Sequence, residues 1–139
     1  MNASATAYSL RPAVIEDAAA IFALVRRHPD ELVPRPMGDI VAHIDRFTVA
    51  ESGGGIVGCA AYTVLPEIGA PPKATVEVQS VAVDAAYRRL GIGRALVKGI
   101  LSRVAAFRPS EVLVLTFAPE FFSSLGFREI PKTQVMHKL

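Results

Sequence analysis

The chain has 139 residues, of which 51% are hydrophobic and 20% are charged. This length predicts a single domain over residues 1–139, and this composition argues against an intrinsically disordered chain and for a well-buried core. The formal net charge is only +2, without a block of basic residues, which argues against a nucleic-acid-binding or membrane-surface protein. The single cysteine, Cys59, excludes an internal disulfide and a CxxC metal site and so favours a reducing cytoplasm.

Membrane and metal partners are not expected either. The N-terminal segment MNASATAYSL has no basic cluster and no long apolar run, so we expect no signal peptide, and residues 1–7 are predicted to be disordered. Every apolar stretch is shorter than the about 18 residues needed to span a bilayer. The histidines, His28, His43 and His137, lie far apart without metal-ligand spacing, which predicts no metal site.

Hydrophobic periodicity predicts an alternation of strands and helices. The first half of the chain is predicted to contain a strand at Tyr8–Arg11, an amphipathic helix with its apolar stripe at Ala18, Ile21, Phe22 and Val25, a proline-rich loop at His28–Met37, and a short helix after Gly38. A hairpin of strands follows at Phe47–Glu51 and Ile56–Leu65, and then a strand at Ala74–Val83. The remaining elements are a helix from Ile92 to Ala106, a buried strand at Val112–Thr116, a short helix from Pro119 to Leu125 and a last strand at Phe127–Ile130. This order predicts an α/β or α+β sheet wrapped by helices.

The segment Val81–Leu96 joins a valine-rich strand to the long helix through a basic turn with two glycines. A helix that begins there leaves about four backbone N–H groups without intrahelical partners, at the positive end of its dipole. Gly91 and Gly93 place no side chain between these amides and a ligand. The turn also carries three arginines: Arg88, Arg89 and Arg94. The pattern predicts a phosphate or pyrophosphate cradle, with an ordinary turn and helix cap as the alternative.

Two separate motifs resemble those of a known family. Gln79–Leu96 is similar to the acetyl-CoA signature of the GNAT superfamily of N-acetyltransferases, in which a strand is followed by R-x-x-G-x-G and a helix. The second signature of that superfamily, F-x-x-x-G-F, is present at Phe122–Phe127. The resemblance covers nearly the whole chain. It implies the GNAT fold, a mixed and mostly antiparallel sheet that is splayed between two strands and flanked by about four helices.

The resemblance implies acetyl-CoA as co-substrate and no metal. It assigns these residues to the cofactor: Val81, Ala82, Val83, Arg88, Arg89, Leu90, Gly91, Ile92, Gly93, Arg94 and Phe122. Superfamily members often carry a tyrosine, the general acid for the leaving thiolate, where this chain has Phe122. A thiol with a pKa of about 8.5 is a fair leaving group without such an acid, and Ser123, Thr116 or a water are further candidates for the role.

Glu77 is the candidate general base. The α-ammonium group of an amino acid is largely protonated at neutral pH, so a base near the amine assists its attack. Glu77 stands in an otherwise apolar strand, at the position where many GNAT members hold a general-base glutamate. The alternative is an exposed strand residue, because Thr75, Glu77 and Gln79 alternate with valines.

A narrower likeness is to the acetyltransferase domain of N-acetylglutamate synthases. The segments that carry it are Leu32–Pro36, Phe47–Glu51, Val57–Ala61, Leu115–Phe122 and Met136–Leu139. It implies acetyl transfer to the α-amine of an amino acid, L-glutamate in arginine biosynthesis, with Arg35 and Arg128 as the cations that bind a substrate carboxylate. Such synthases often carry an amino-acid-kinase-like domain ahead of this one, and short stand-alone forms also occur.

Two other functions remain open at this point. A GNAT enzyme that acetylates another small amine or a protein N-terminus would be favoured by a neutral or acidic acceptor cleft. A non-catalytic acyl-CoA-binding module would be consistent with Phe122 at the position of the missing tyrosine. The oligomeric state is open, a homodimer included.

Overall fold

The structure is a computed structural model that describes residues 7–30, 32–66 and 74–131. The predicted disordered terminus up to residue 6, residues 67–73 of the Pro/Gly-rich connection, His137 and the segment Met136–Leu139 lie outside the described residues. Within them, no helix is both long and apolar enough to cross a membrane.

The architecture is a mixed five-stranded sheet with helices on both faces. The strands are β1 (Ser9–Pro12), β2 (Phe47–Ser52), β3 (Gly55–Leu65), β4 (Thr75–Val83) and β5 (Glu111–Val114). The helices are α1 (Ala18–Arg26), α2 (Met37–Ala42), α3 (Ile92–Ala105) and α4 (Pro119–Ser123), with 3₁₀ turns at Ile15–Asp17, Ile44–Arg46 and Ala85–Tyr87. The strand order is β1-β2-β3-β4-β5, antiparallel up to β4 and parallel between β4 and β5. The predicted α/β class with about four helices is confirmed.

Two hydrophobic clusters, one on each face of the sheet, form the core. On one face, α3 buries a stripe that repeats every four residues and packs on β3 and β4. Its members are Ile92, Leu96, Ile100 and Val104. On the other face, α1 and α2 contribute Ile21, Leu24 and Ile40, which pack on β2 and β3. Each such side chain contributes roughly 1.5–3 kcal/mol when fully buried, so the two clusters fix both helix layers against the sheet.

Gly58 allows the close approach of α3 to β3. A Cβ atom at this position would lie 2.9 Å from Leu96 Cδ1 and 3.1 Å from Ile92 Cγ2, closer than side chains tolerate. The missing side chain therefore lets the first turns of α3 rest directly on the strand, which holds the N-terminus of α3 beside β4.

The sheet splits between β4 and β5. Their pairing runs from Thr75↔Glu111 to Val78↔Val114 and stops there. Beyond Val78, the edge of β4 that faces β5 has no strand partner among the described residues. The predicted splay between two strands is thereby confirmed, and in the described sheet it lies beside the edge strand β5.

A bulge in β4 marks the split. The register with β3 shifts between Cys59 and Ala61, and the extra residue on β4 is Ser80, whose φ of +55° is left-handed. The additional residue changes which side chains share a face. Val81 packs with the cluster under α3, whereas a regular strand would place it on the same face as Glu77.

The predicted last strand at Phe127–Ile130 is wrong. Phe127 N donates to Phe122 O at 3.1 Å and closes the end of α4 after Gly126, whose φ is +97°. The Phe127 ring then packs edge-on against the Phe122 ring, with 5.5 Å between the centroids. From Phe127 to Pro131 the backbone makes no ladder with a described strand. Phe127 thus packs on the end of α4 instead of joining the sheet, and Arg128 lies in irregular structure.

The predicted strand at Val112–Thr116 is shorter in the structure, where β5 ends at Val114. Leu115 and Phe117 are 66% and 78% exposed, so the apolar run leaves the sheet and follows the rim of the split.

Candidate active site

Two cavities meet at the split between β4 and β5. One, of about 550 Å³, lies at the N-terminus of α3 and is called the α3 cavity here. The other, a wider groove of about 1470 Å³, is lined by Arg35 and by Asp39 of α2, and is called the α2 cavity. The residues common to both cavities are Leu32, Val78, Gln79, Ser80, Val114, Leu115, Thr116, Phe117 and Phe122. A molecule in one cavity can therefore reach a molecule in the other through the split.

The α3 cavity ends on an uncapped helix N-terminus. Gly91, the N-cap of α3, has a φ of +81°, a conformation that favours glycine, and no side chain bonds to this end of the helix. The first-turn amides of Ile92, Gly93 and Arg94 have no intrahelical acceptor. Exposed backbone amides at the positive end of a helix bind anions, so the geometry suits a phosphate group.

The basic turn lies at the rim of this cavity. Arg88, Arg89 and Arg94 are all exposed and line it. Arg88 Nη2 donates to His28 Nδ1 at 3.1 Å, and Arg89 adopts a left-handed φ of +67°. Of the residues predicted to bind the cofactor, Leu90 does not line the α3 cavity and the others do. His28 was not predicted to lie at this rim, because a histidine 60 residues away carries no local signal for its contact with Arg88.

Gly93 lies where α4 comes close to α3. A Cβ atom here would lie 3.5 Å from the Phe121 ring and 3.6 Å from Val83 Cγ2, which are ordinary contact distances. The position can accept a methyl group without a clash, but larger side chains extend toward the amides at the floor of the α3 cavity.

Phe122 is buried beneath the split and lines both cavities. Its ring makes edge-to-face contacts with Phe121 at 4.9 Å and with Phe127 at 5.5 Å between centroids. The hydroxyl of Thr116 accepts a hydrogen bond from Ala118 N at 2.8 Å, and Ser123 lines only the α2 cavity. Tyr87, which the sequence analysis did not consider, places a phenol in the lining of the α3 cavity.

Glu77 lies on β4, opposite Thr63 of β3 and Leu113 of β5. Its half-buried side chain lines the α2 cavity and not the α3 cavity. Gln79 Nε2 donates to Glu77 Oε1 at 2.8 Å. The carboxylate is thus held on the α2 side of the split.

Arg35 lies in the same cavity as Glu77. Its Nε donates to Asp39 Oδ2 at 2.7 Å, and its Nη1 donates to Ser80 Oγ at 3.2 Å and lies 3.5 Å from Gln79 Oε1. The guanidinium also covers the Phe47 ring at 5.0 Å, and the side chain is 14% exposed. This guanidinium lowers the pKa of Asp39 below its usual range, chiefly through the hydrogen bond.

A row of polar side chains spaced by four residues runs from Arg35 through Asp39 to His43. His43 Nδ1 lies 3.0 Å from Asp39 Oδ1. The i, i+4 spacing was a signal in the sequence for Asp39 and His43, although neither was proposed as a site residue. Gln79 and Ser80 were also missed, because the bulge places Ser80 toward Arg35 and because Gln79 meets Arg35 only through a contact between residues 44 positions apart.

Acidic side chains outnumber basic ones around the α2 cavity. Its anionic residues are Asp39, Glu77, Glu111 and Glu129, and its cationic residues are Arg35 and Arg128. Arg128 is exposed. Within the described residues, no group of three or more histidine, cysteine, aspartate or glutamate side chains could hold a metal ion. Cys59 is fully buried, which raises the pKa of its thiol to about 12 and makes it a poor nucleophile.

A family profile described as acetyltransferase (GNAT) domain matches residues 43–129. The chain belongs to the GNAT acetyltransferase family. This GNAT chain is 35% identical over 131 residues to an amino-acid acetyltransferase of Mycobacterium tuberculosis, a match that covers 91% of the chain and 71% of the relative. It is 33% identical over 135 residues to an uncharacterized N-acetyltransferase of Chlorobaculum tepidum, a match that covers 94% of the chain and 81% of the relative.

Solved structures of the family show the same fold. A Mycobacterium tuberculosis protein in complex with CoA superposes with a TM-score of 0.80 at 34% identity, covering 88% of this chain and 73% of that protein. The N-acetylglutamate synthase of Neisseria gonorrhoeae, complexed with CoA and N-acetyl-glutamate, gives a TM-score of 0.79 at 26% identity. That match covers 94% of this chain and only 32% of the synthase. The GNAT chain is therefore an acyltransferase of the amino-acid acetyltransferase group, with acetyl-CoA as its co-substrate.

Proposed function

We propose that this GNAT chain transfers the acetyl group of acetyl-CoA to the α-amine of an amino acid, with L-glutamate as the acceptor, the step that arginine biosynthesis requires. The observation that carries the proposal is that a carboxylate base and a guanidinium, Glu77 and Arg35, share the α2 cavity, which meets the α3 cavity at the split. The name of the Mycobacterium tuberculosis relative supports an amino acid as the acceptor, and that of the Neisseria gonorrhoeae synthase supports glutamate.

The α3 cavity is the place for acetyl-CoA in this proposal. The pyrophosphate binds to the first-turn amides of α3, with the charge of the basic turn around it. The pantetheine arm follows the open edge of β4 along Val81–Val83, where no described strand pairs with the backbone on the side of β5. The thioester then lies at the split, where backbone N–H groups stabilise the oxyanion that forms during the reaction.

Proton transfer in the proposed reaction involves Glu77. The ammonium group of the acceptor first loses one proton to Glu77, directly or through one water, and this proton passes on to solvent. The neutral nitrogen then attacks the thioester carbon to form a tetrahedral intermediate, and its second proton goes to the same carboxylate. Collapse of this intermediate breaks the C–S bond and releases CoA as a thiolate. Phe122 has no proton to give, and a leaving thiol of pKa about 8.5 needs none near neutral pH.

The acceptor's carboxylate is the partner of Arg35. Asp39 occupies Nε of the guanidinium, and Ser80 and Gln79 lie at Nη1, which leaves Nη2 without a hydrogen-bond partner among the described residues. The ion pair with Asp39 and the contact with the Phe47 ring hold the guanidinium in one orientation. Arg128, exposed in the same cavity, is the second cation available to a dicarboxylate.

A second candidate function has one observation in its favour. Because four acidic side chains and two arginines line the α2 cavity, an amine without a carboxylate would also meet a compatible charge. The candidate is a GNAT enzyme that acetylates another small amine or a peptide N-terminus.

Replacement of Arg35 tests the proposal against this candidate. Arg35→Ala removes a charge-assisted contact worth roughly 1.5–3 kcal/mol, so the KM for glutamate should rise about ten- to a hundredfold while the KM for acetyl-CoA stays unchanged. Arg35→Lys should recover only part, because an ammonium cannot reproduce the guanidinium geometry. Steady-state thiol release measures both constants, with Arg26→Ala, an exposed arginine outside both cavities, as the control. An unchanged KM for glutamate in Arg35→Ala would disprove the assignment.

A further inference from the structure

Gln79 lies between the proposed base and the proposed carboxylate-binding residue. Its Nε2 donates to Glu77 Oε1 at 2.8 Å, and its Oε1 lies 3.5 Å from Arg35 Nη1. The side chain is half-buried and lines both cavities, directly at the split. One side chain therefore contacts a group from β4 and a group from the loop before α2, which are far apart in the sequence.

The chemistry of these neighbours fixes the orientation of the amide. A carboxylate only accepts hydrogen bonds and a guanidinium only donates them. The NH₂ of Gln79 must therefore face Glu77, and its carbonyl must face Arg35. An acidic side chain at this position would repel Glu77, a basic one would repel Arg35, and an apolar one would bond to neither. An amide of this length satisfies both neighbours at once.

We propose that Gln79 is a positioning residue that couples Glu77 to Arg35, so that the amine and the carboxylate of one acceptor are presented in register. The inference rests on the proposed function. The two contacts differ in strength, since 3.5 Å is at the outer limit for a hydrogen bond and 2.8 Å is optimal. The acceptor's carboxylate binds at Nη2 of Arg35, so the weaker contact of Gln79 with Nη1 and the stronger bond that orients Glu77 can both persist.

The bulge in β4 explains why this coupling can form here. Ser80, the extra residue, receives its own hydrogen bond from Arg35 Nη1 at 3.2 Å. The adjacent bonds to Gln79 and Ser80 hold Arg35 against β4, which is also the strand that carries Glu77. Rotation of Gln79 away from Glu77 would thus disturb the spacing between the base and the guanidinium.

The test is a double-mutant cycle built on Gln79→Met, a change that keeps length and volume but removes both hydrogen bonds. We expect kcat/KM for the amino acid to fall roughly ten- to a hundredfold, with the KM for acetyl-CoA within about twofold of wild type. In the Glu77→Gln background the same change should lower kcat/KM by less than about threefold, because the base that Gln79 orients is gone. Lys98→Met, on the exposed face of α3 and outside both cavities, is the control for the substitution.

A second variant separates coupling from packing. Gln79→Glu preserves shape and the contact with Arg35 but places a carboxylate against Glu77, so it should lose at least as much activity as Gln79→Met. Equal losses for Gln79→Met in both backgrounds, or near-wild-type activity of either variant, would overturn the coupling while the proposed function stands. A wild-type enzyme that acetylates only amines without a carboxylate would overturn both.

Discussion

Single side chains determine the chemistry at the split between β4 and β5. Glu77 faces the α2 cavity because it lies on β4 before the bulge, and its neighbours Gln79 and Arg35 hold the acceptor side of the site. Phe122 is buried among other aromatic rings, where it lines the site but has no proton to donate. In the proposed reaction, Glu77 is therefore the base on the α2 side of the split, and departure of the thiolate depends on its own low basicity.

Glu77→Gln tests the role of the base, because it keeps the size of the side chain and removes its basicity. The rate at neutral pH should fall by roughly 10²–10⁴-fold, the usual contribution of a positioned general base. Part of the activity should return at high pH, where the amine loses its proton unaided. Thiol release across a pH series measures this, with the exposed Glu16→Gln as the matched control. Full activity of Glu77→Gln at neutral pH would rule out the assignment.

At the scale of elements, the N-terminus of α3 is the feature that the sequence predicted best. The valine-rich strand, the basic glycine turn and the apolar stripe of the helix are all local patterns, and the structure contains each of them. The prediction of a last strand at Phe127–Ile130 was wrong because the local sequence cannot reveal that Phe127 closes α4 and packs on Phe122.

Gly93→Val tests whether this helix end holds the pyrophosphate. The new Cβ atom would contact Phe121 and Val83 at ordinary distances, so the fold should persist, while the branched methyl groups would extend over the first-turn amides. We expect calorimetry to detect no CoA binding. Gly99→Val, six residues further along α3, is the control for the change in helix propensity and should bind CoA normally. Unchanged CoA affinity in a folded Gly93→Val protein would contradict the placement.

The start of α1 depends on an ion pair. Arg11 of β1 makes two hydrogen bonds to Asp17, at 2.7 and 2.9 Å, and Val14 N donates to the same carboxylate at 2.8 Å. These hydrogen bonds lower the pKa of Asp17, and the bond from Arg11 has the largest effect. Burial of the carboxyl group acts in the opposite direction. The pair joins the edge strand to the first helix, and so to the face of the sheet that carries the α2 cavity.

The stability contributed by Asp17 should depend on pH in a defined direction. Because the pKa is lower in the folded protein, the contribution is complete above the ordinary value of 3.8 and is lost as the pH falls through the folded value. Asp17→Asn should reduce the free energy of unfolding at neutral pH by roughly 1–3 kcal/mol. Urea unfolding between about pH 7 and pH 2 should show this difference shrinking below about pH 4. Asp30→Asn, an exposed aspartate, is the control, and a difference independent of pH would contradict the ionic role.

For the whole molecule, the sequence predicted the sheet and its splay but not the network of the α2 cavity. Periodicity and the two motifs depend on neighbouring residues, which a sequence displays directly. The contacts of Arg35 with Gln79 and Ser80 depend on one bulge and on the meeting of segments more than 40 residues apart. A half-buried strand glutamine carries no signal for such a contact until the strands are placed.

The acetyltransferase account is tested most directly by thiol release from acetyl-CoA with a panel of acceptors. The panel contains glutamate, glutamine and aspartate beside a polyamine and a peptide with a free N-terminus. The account predicts the highest kcat/KM for glutamate, since glutamine lacks the second charge and aspartate is too short to place both carboxylates. Turnover of the polyamine or the peptide, with none of the amino acids acetylated, would contradict it and leave only the family assignment.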